Sequence, residues 1–120
     1  MKAMFDSNIL MDYLNQVDAS RDVLSQYQER YISLITYIEV LAGAKTLQDE
    51  YVIKGFLNKF HIIIPNVKIG DQTVKLRKEY RFKLPDALIV ASSIEQDIQL
   101  FTRDENLLNK FANVVIPYRL

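Results

Sequence analysis

The sequence predicts a single α/β domain in which a mostly parallel sheet lies between layers of helices. Short runs rich in Ile, Val, Phe and Tyr alternate with helical stretches, and no repeat, low-complexity segment or linker divides the 120 residues. About half of the chain, 49%, is hydrophobic, which is enough to bury a core. Alternating strands and helices imply crossover connections between parallel strands. We therefore expect one domain over residues 1–120.

The predicted elements follow in order along the chain. Strands are predicted at 3–5, 31–35, 61–64, 100–102 and 114–116, and helices at 9–15, 20–28, 37–44, 47–60, 71–80, 86–97 and 105–110. The third helix should begin at a capping box that joins Thr36 to Glu39. Pro85 should open the helix over 86–97, and the apolar start of that helix predicts that it is the most buried.

Composition excludes several kinds of chemistry. Fifteen Lys and Arg balance fifteen Asp and Glu, so the chain lacks the overall positive charge typical of nucleic-acid binding. The absence of Cys excludes thiol nucleophiles and cysteine zinc sites, and it fits a reducing cytoplasm. The one histidine, His61, lies in a run that predicts a buried strand, so we expect it to be structural. The three glycines form neither a P-loop nor a dinucleotide-binding turn, and no run is long enough to span a membrane.

Four acidic residues are predicted to share one edge of the sheet. The carboxyl ends of parallel strands and the amino ends of the helices after them lie at the same edge, where ligands bind. Asp6 follows the first strand, Glu39 comes in the first turn after the second, and Asp104 follows the fourth. Asp86 opens the buried helix that runs back toward the fourth strand. Four carboxylates from distant parts of the chain should therefore converge.

Each of these acids, taken singly, has a structural explanation as a helix cap or as a partner of a helix dipole. Together they would repel one another and raise one another's pKa values, and a divalent cation would relieve that repulsion. A set made only of oxygen donors favours Mg²⁺ or Mn²⁺ over Zn²⁺. Such a carboxylate-held ion takes phosphate oxygens as further ligands, so we expect a phosphate ester as the substrate.

Four motifs resemble those of PIN-domain ribonucleases, specifically the VapC toxins of toxin–antitoxin pairs. In chain order they are Met4-Phe5-Asp6-Ser7-Asn8-Ile9-Leu10, Thr36-Tyr37-Ile38-Glu39-Val40-Leu41-Ala42-Gly43, Leu84-Pro85-Asp86-Ala87-Leu88-Ile89-Val90-Ala91 and Leu100-Phe101-Thr102-Arg103-Asp104. The resemblance covers the whole chain. It implies a PIN-like three-layer α/β/α sandwich whose five parallel strands have the order 3-2-1-4-5.

The resemblance also implies roles for individual residues. The catalytic and metal-binding carboxylates would be Asp6, Glu39, Asp86 and Asp104, supported by Ser7, Asn8 and Thr102. Because the fourth motif is the most variable in such proteins, Glu105 or Asn106 could share or replace the role of Asp104.

The implied activity is Mg²⁺-dependent endoribonuclease cleavage by an activated water, which leaves a 5′-phosphate and a 3′-hydroxyl and inhibits translation and growth. The implied partners are RNA, a second copy of the chain and an antitoxin that lies in a hydrophobic groove and can place a basic side chain among the acids. Two alternatives stay open: a catalytically silent PIN-like module that binds RNA or serves as a scaffold, and a haloacid dehalogenase-type phosphatase. The latter needs a second Asp where this chain has Asn8.

A local basic segment offsets the neutral total charge. Residues 68–83 contain six Lys and Arg against two acids and interleave them with Tyr80 and Phe82. This segment is either a solvated helix face with two core rings or a phosphate-contacting surface. We take Arg77, Lys78 and Arg81, together with Arg103 beside Asp104, as candidate RNA contacts.

Overall fold

A computed structural model describes residues 1–120 and contains a five-stranded parallel sheet in the order β3-β2-β1-β4-β5. The strands are β1 (Lys2–Phe5), β2 (Glu29–Ser33), β3 (His61–Ile63), β4 (Leu100–Phe101) and β5 (Val114–Val115). The central strand β1 pairs with β2 on one side and with β4 on the other. The predicted strand order and the parallel arrangement are confirmed.

Six helices connect the strands. They are α1 (Ser7–Leu14), α2 (Asp18–Ser25), α3 (Leu34–Ala42), α4 (Leu47–Leu57), α5 (Val67–Tyr80) and α6 (Leu84–Glu95). A short 3-10 turn at Glu105–Leu107 stands where the sequence predicts a longer helix. None of the helices combines the length and the apolar character that crossing a membrane requires.

Two hydrophobic cores lie on the two faces of the sheet, because successive side chains of a strand point to opposite faces. Met4 of β1 packs into a core with α5 and α6, whereas Ala3 and Phe5 pack into a core with α1, α2 and α4. The chain is therefore the three-layer sandwich that the sequence predicts. As expected, α6 is deeply buried. Six of its residues are buried: Ala87, Ile89, Val90, Ala91, Ser92 and Ser93.

The start of α3 differs from the prediction. Its N-cap is Ser33, whose hydroxyl accepts a hydrogen bond of 3.1 Å from the backbone N–H of Ile35. Strand β2 consequently ends two residues earlier than expected, and Thr36 lies buried inside the helix. The predicted capping box between Thr36 and Glu39 is wrong, because Ser33 already supplies the cap. Glu39 therefore lies in the second turn of α3 instead of the first.

The histidine prediction is also wrong in one respect. His61 is exposed, because β3 is an edge strand and the side chain points away from the core. Its ring packs against Tyr31 of the neighbouring strand, with 4.9 Å between ring centroids. A run of apolar residues does not tell an edge strand from a central one, which is why the sequence indicated burial.

Candidate active site

The carboxyl ends of β1 and β4 meet at the centre of the acidic edge. The backbone N–H of Asp6 donates to the carbonyl of Phe101 at 2.9 Å, which places the two strand ends side by side. One carboxylate oxygen of Asp6 caps α1 by accepting from the Ser7 N–H at 2.7 Å. The other accepts from the Thr102 hydroxyl at 2.8 Å. The structural explanation of Asp6 as a helix cap is thus correct, and it leaves the carboxylate without a positively charged partner.

Thr102 connects three parts of the edge through one buried hydroxyl. While it donates to Asp6, its oxygen accepts from the Asn8 side-chain amide at 3.1 Å and from the Asp104 backbone N–H at 3.0 Å. The side-chain oxygen of Asn8 in turn accepts from the Arg103 backbone N–H at 3.1 Å. Thr102 and Asn8 therefore tie the start of α1 to the segment that carries Asp104.

Ser7 orients Glu39 from across the edge. The Ser7 hydroxyl donates to a Glu39 carboxylate oxygen at 2.6 Å and lies 3.3 Å from the hydroxyl of the buried Thr36. Because Ser7 lies on α1 and Glu39 on α3, this contact brings together side chains that are 32 residues apart in the chain. Ser7 thus fixes the position of the Glu39 carboxylate relative to the start of α1.

The acids influence one another's protonation. The pKa of Asp6 is raised by burial and further by the charges of Asp86 and Glu39, which together outweigh the hydrogen bonds from Thr102 and Ser7. The pKa of Asp86 is raised by partial burial and by the charges of Asp104 and Glu39, against a smaller opposing effect of Lys83. The structure therefore brings all four predicted acids into one electrostatic neighbourhood, although only Asp6 and Glu39 are held by neighbouring side chains.

The donor set fits a hard cation in an open site. No three Asp, Glu or His side chains are grouped closely enough to form a ready-made metal cage. Mg²⁺ does not need such a cage, since it keeps several waters and commonly binds one or two carboxylates directly. The uncompensated carboxylate of Asp6, with its raised pKa, is the kind of group that such an ion would stabilise in its charged form.

The fourth motif offers Asp104, Glu105 and Asn106 as candidates. Of these, Asp104 is the one whose charge acts on another of the acids, Asp86. Asp104 caps the 3-10 turn by accepting from the Asn106 N–H at 3.0 Å, and its charge acts on Asp86. Glu105 points elsewhere and forms an exposed ion pair with Arg119, with 2.9 Å between the charged atoms. We therefore keep Asp104 as the candidate.

Arg103 is engaged in a contact that the sequence did not predict. Its guanidinium forms a two-point ion pair with Asp12, with nitrogen–oxygen distances of 2.6 and 2.9 Å, and the Tyr118 hydroxyl donates to the same carboxylate at 2.7 Å. The carboxylate that it meets is buried. This ion pair occupies the Nε–Nη2 edge of the guanidinium, so only the Nη1 edge of Arg103 is open to a phosphate.

Asp12 is the residue that the sequence reasoning missed. It lies on α1 one turn beyond Asn8 and on the side of the helix that also buries Ile9. An unpaired carboxylate on the buried side of a helix is costly, so the position of Asp12 in the sequence could have indicated that it pairs with a cation. The identity of that cation, 91 residues away, follows only from the fold.

The basic segment lies at the same end of the molecule as the acids. Helices α5 and α6 are antiparallel neighbours, so the end of α5 and the start of α6, which carries Asp86, share one edge. An open cleft of about 440 Å³ is lined by Val74, Arg77, Lys78, Arg81 and Phe82. The three basic residues are exposed and none forms an ion pair, although one Arg77 N–H donates to the Phe82 carbonyl. Tyr80 and Phe82 stack on each other and pack against the core, as the structural alternative predicts.

The fold and the site define a three-layer α/β protein with a carboxylate-lined edge at the ends of its central strands. The sequence matches the model of the PIN domain over residues 3–114, and the chain therefore belongs to the PIN-domain family. No curated protein matches the sequence.

Solved structures are similar over nearly the whole chain. A chain of a toxin–antitoxin complex from Klebsiella pneumoniae is 36% identical, with a TM-score of 0.92 over 98% of this chain and 99% of that one. VapBC2 from Rickettsia felis, bound to a DNA fragment from its promoter, is 23% identical, with a TM-score of 0.83 over 96% of each chain. FitAcB from Neisseria gonorrhoeae is 18% identical, with a TM-score of 0.82 over 100% of each chain. The last two likenesses concern the fold alone.

Proposed function

We propose that this PIN-domain protein is a Mg²⁺-dependent endoribonuclease that acts in the cytoplasm as the toxin of a VapBC-type toxin–antitoxin pair. The observation that carries the proposal is the edge at which Asp6, bridged to Thr102, shares an electrostatic neighbourhood with Glu39, Asp86 and Asp104. The 36% identity to a chain of a toxin–antitoxin complex supports the biological role.

The chain's own residues position the reacting groups. Asp6, Glu39, Asp86 and Asp104 would hold Mg²⁺ or Mn²⁺, one or two of them directly and the others through the waters of the ion. Thr102 and Ser7 fix the orientations of the Asp6 and Glu39 carboxylates. When bound, such an ion polarises the phosphate and lowers the pKa of a water that attacks it. No histidine is required as a base, and the one present lies on the edge strand β3. Hydrolysis by water does not use the RNA 2′-hydroxyl, so no 2′,3′-cyclic phosphate should form. We expect the 3′ oxygen to be the leaving group, which gives a 3′-hydroxyl on one product and a 5′-phosphate on the other.

The deciding experiment is cleavage of a short labelled RNA with the purified protein in Mg²⁺ or Mn²⁺ and in EDTA, with the product ends identified. We expect cleavage that depends on the metal, 5′-phosphate ends, and loss of activity in Asp6→Asn and in Asp86→Asn. Asp22→Asn, an exposed acid on α2, is the matched control and should cleave at the wild-type rate. Metal-independent cleavage, or full activity in Asp6→Asn, would refute the site. RNA binding without any cleavage would instead support the silent-module alternative.

We further propose that the basic cleft of Arg77, Lys78 and Arg81 binds RNA phosphates. Replacing all three by Glu in the inactive Asp6→Asn background should weaken RNA binding and reduce the slope of log affinity against log salt by about two, since each phosphate contact on a single strand contributes about 0.7. The control carries the same charge change at three exposed lysines on the other side of the sheet, Lys45, Lys54 and Lys59. An unchanged slope in the α5 variant would remove the cleft from the RNA path.

The proposed protein partners are an antitoxin and a second copy of the chain. Four large apolar side chains on α3 and α4 are exposed and available for such contacts: Ile38, Leu47, Tyr51 and Val52. Most aromatic and aliphatic residues of α1 and α2 are instead used in the core, including Leu10 and Leu24. We expect light scattering to give the mass of a dimer for the wild type and a smaller mass for Tyr51→Lys. If Tyr51→Lys keeps the dimer mass but no longer forms a complex with the cognate antitoxin, this surface binds the antitoxin instead.

A further inference from the structure

The Asp12 cluster lies directly behind the segment that carries Thr102 and Asp104. It consists of Asp12 on α1, Arg103 after β4, and Tyr118 in the segment after β5. The Asp12 side chain is 8% exposed and that of Arg103 32%, so the pair is largely shielded from competing water. The two guanidinium contacts fix the plane of the Arg103 side chain as well as its position.

This cluster reaches the acidic edge through a continuous series of hydrogen bonds. The backbone N–H of Arg103 donates to Asn8, the Asn8 amide donates to Thr102, and the Thr102 hydroxyl donates to Asp6. The Asp104 N–H meets the same Thr102 oxygen. A residue between Thr102 and Asp104 whose side chain is held in place therefore limits the movement of both neighbours.

The segment after β5 holds the same region at a second point. Arg119 pairs with Glu105, with 2.9 Å between the charged atoms, while Tyr118 contacts Asp12. This segment is thus attached directly to Glu105, on one side of Asp104, and through Asp12 to Arg103, on the other side. The Arg119 pair is exposed on both sides and contributes less than the shielded cluster.

We propose that Asp12, Arg103 and Tyr118 are positioning residues that hold Thr102 and Asp104 in the geometry needed for metal binding, and that none of the three touches the substrate. This inference rests on the proposed function, since it assigns the cluster to the proposed metal site. Outer-shell residues of this kind commonly change metal affinity or activity by about tenfold or more when they are replaced.

The variants Arg103→Lys and Tyr118→Phe test the proposal, because Lys keeps the charge without the two-point geometry and Phe keeps the ring without the hydroxyl. Mn²⁺ affinity is measured by calorimetry without RNA, alongside the side-chain amide resonances of Asn8 by NMR. RNA cleavage then gives kcat and KM. We expect Arg103→Lys to weaken Mn²⁺ binding about tenfold, to shift the Asn8 resonances and to lower kcat about tenfold with KM unchanged. Tyr118→Phe should produce smaller changes in the same direction.

Two controls separate positioning from a loss of stability. Ile69→Val, in the core on the α5 side, should lower the melting temperature and leave Mn²⁺ affinity unchanged. Arg119→Gln removes the exposed pair and should have the weakest effect. The proposal is overturned if Arg103→Lys binds Mn²⁺ as the wild type does, or if its loss is no greater than that of Ile69→Val. A rise in KM with wild-type Mn²⁺ affinity would overturn it too, and would make Arg103 an RNA contact. Because Mn²⁺ affinity and the resonances need no activity, this test can fail or succeed independently of the nuclease assay.

Discussion

Asp6 and Asp12 stand at the two ends of helix α1 and have opposite electrostatic surroundings. Asp6 receives only uncharged donors and faces other carboxylates, and burial with those charges raises its pKa. Burial alone would also raise the pKa of Asp12, but hydrogen bonds from Arg103 and Tyr118, with the charge of Arg103, bring it below its usual value. The chain thus pairs one of these acids with an internal cation and leaves the other without a positively charged partner. That difference separates a structural carboxylate from a candidate catalytic one.

The largest expected effect is on activity at Asp6. Asp6→Asn should lower RNA cleavage at least about a hundredfold, because it removes the central carboxylate of the edge. The same change should increase the free energy of unfolding in metal-free buffer at pH 7, since burial and the neighbouring carboxylates raise the pKa of Asp6 and the charged form that they disfavour is lost. Urea unfolding measures the second effect. A less stable Asp6→Asn protein would contradict the contrast between the two aspartates.

Removing the cation that pairs with Asp12, near the other end of α1, should act on stability. Arg103→Met leaves the buried Asp12 without a cation and should cost about 3 kcal/mol, the lower part of the range for broken buried pairs, because Arg103 is partly exposed. Tyr118→Phe should cost about 1 kcal/mol, the usual value for one hydrogen bond. Both are measured by urea unfolding. Equal stability of Arg103→Met and the wild type would mean that the pair is of no structural consequence.

Thr102→Val sharpens the comparison, since the residue belongs to the hydrogen-bond network that joins the two regions. Val has nearly the same shape but no hydroxyl, so Asp6 loses a donor and both Asn8 and the Asp104 N–H lose an acceptor. We expect cleavage to fall about tenfold. Thr102→Ser keeps the hydroxyl and should restore most of the activity. If Ser and Val variants behave alike, the hydroxyl is not the relevant group.

The smallest effect is a difference in pH dependence. The pKa of Asp6 is higher in the folded protein than in the unfolded chain, where it is about 3.9. Asp6 therefore lowers the stability of the fold as the pH rises from about 3.9 through the folded-state pKa. The pKa of Asp12 is lower in the folded protein, so Asp12 stabilises the fold above about pH 3.9, and this stabilisation is lost as the pH falls through the folded-state pKa. Between pH 3 and 7 in EDTA, the stability of Asp6→Asn relative to the wild type should therefore increase with pH, and that of Asp12→Asn should decrease. Parallel curves would refute the opposite pKa shifts.

Local sequence patterns predicted most helices and strands, whereas several helix boundaries and side-chain contacts depend on residues that the patterns do not reveal. Alternating strands and helices predicted the layers, and the positions of Asp6, Asp86 and Asp104 after strands or at a helix start predicted their shared edge. Helix α3 begins earlier than predicted because its N-cap is Ser33 and not Thr36. The start of α5 was placed four residues late, because the Asn66 side chain caps the Ile69 N–H.

The roles of Arg103 and Asp12 lay beyond sequence reasoning for a different reason. Beside Asp104, an arginine fits a phosphate contact as well as an internal ion pair. Only the fold brings α1, the end of β4 and Tyr118 together, over separations of 91 and 106 residues. The supporting contacts of Ser7, Asn8 and Thr102 are likewise long-range, and their placement in the sequence-based site came from the family resemblance.

The pairing of the first strand with the fourth also has a consequence during protein synthesis. Met4 and Phe5 pair with Leu100 and Phe101, and the contact between Asp6 and Thr102 spans 96 residues. A ribosome adds about 5 to 20 residues per second, so for several seconds the nascent chain contains Asp6 without its partners from β4. The acidic edge can assemble only after the chain through Asp104 has emerged. Incomplete translation products therefore lack the assembled edge, whatever length they reach before that point.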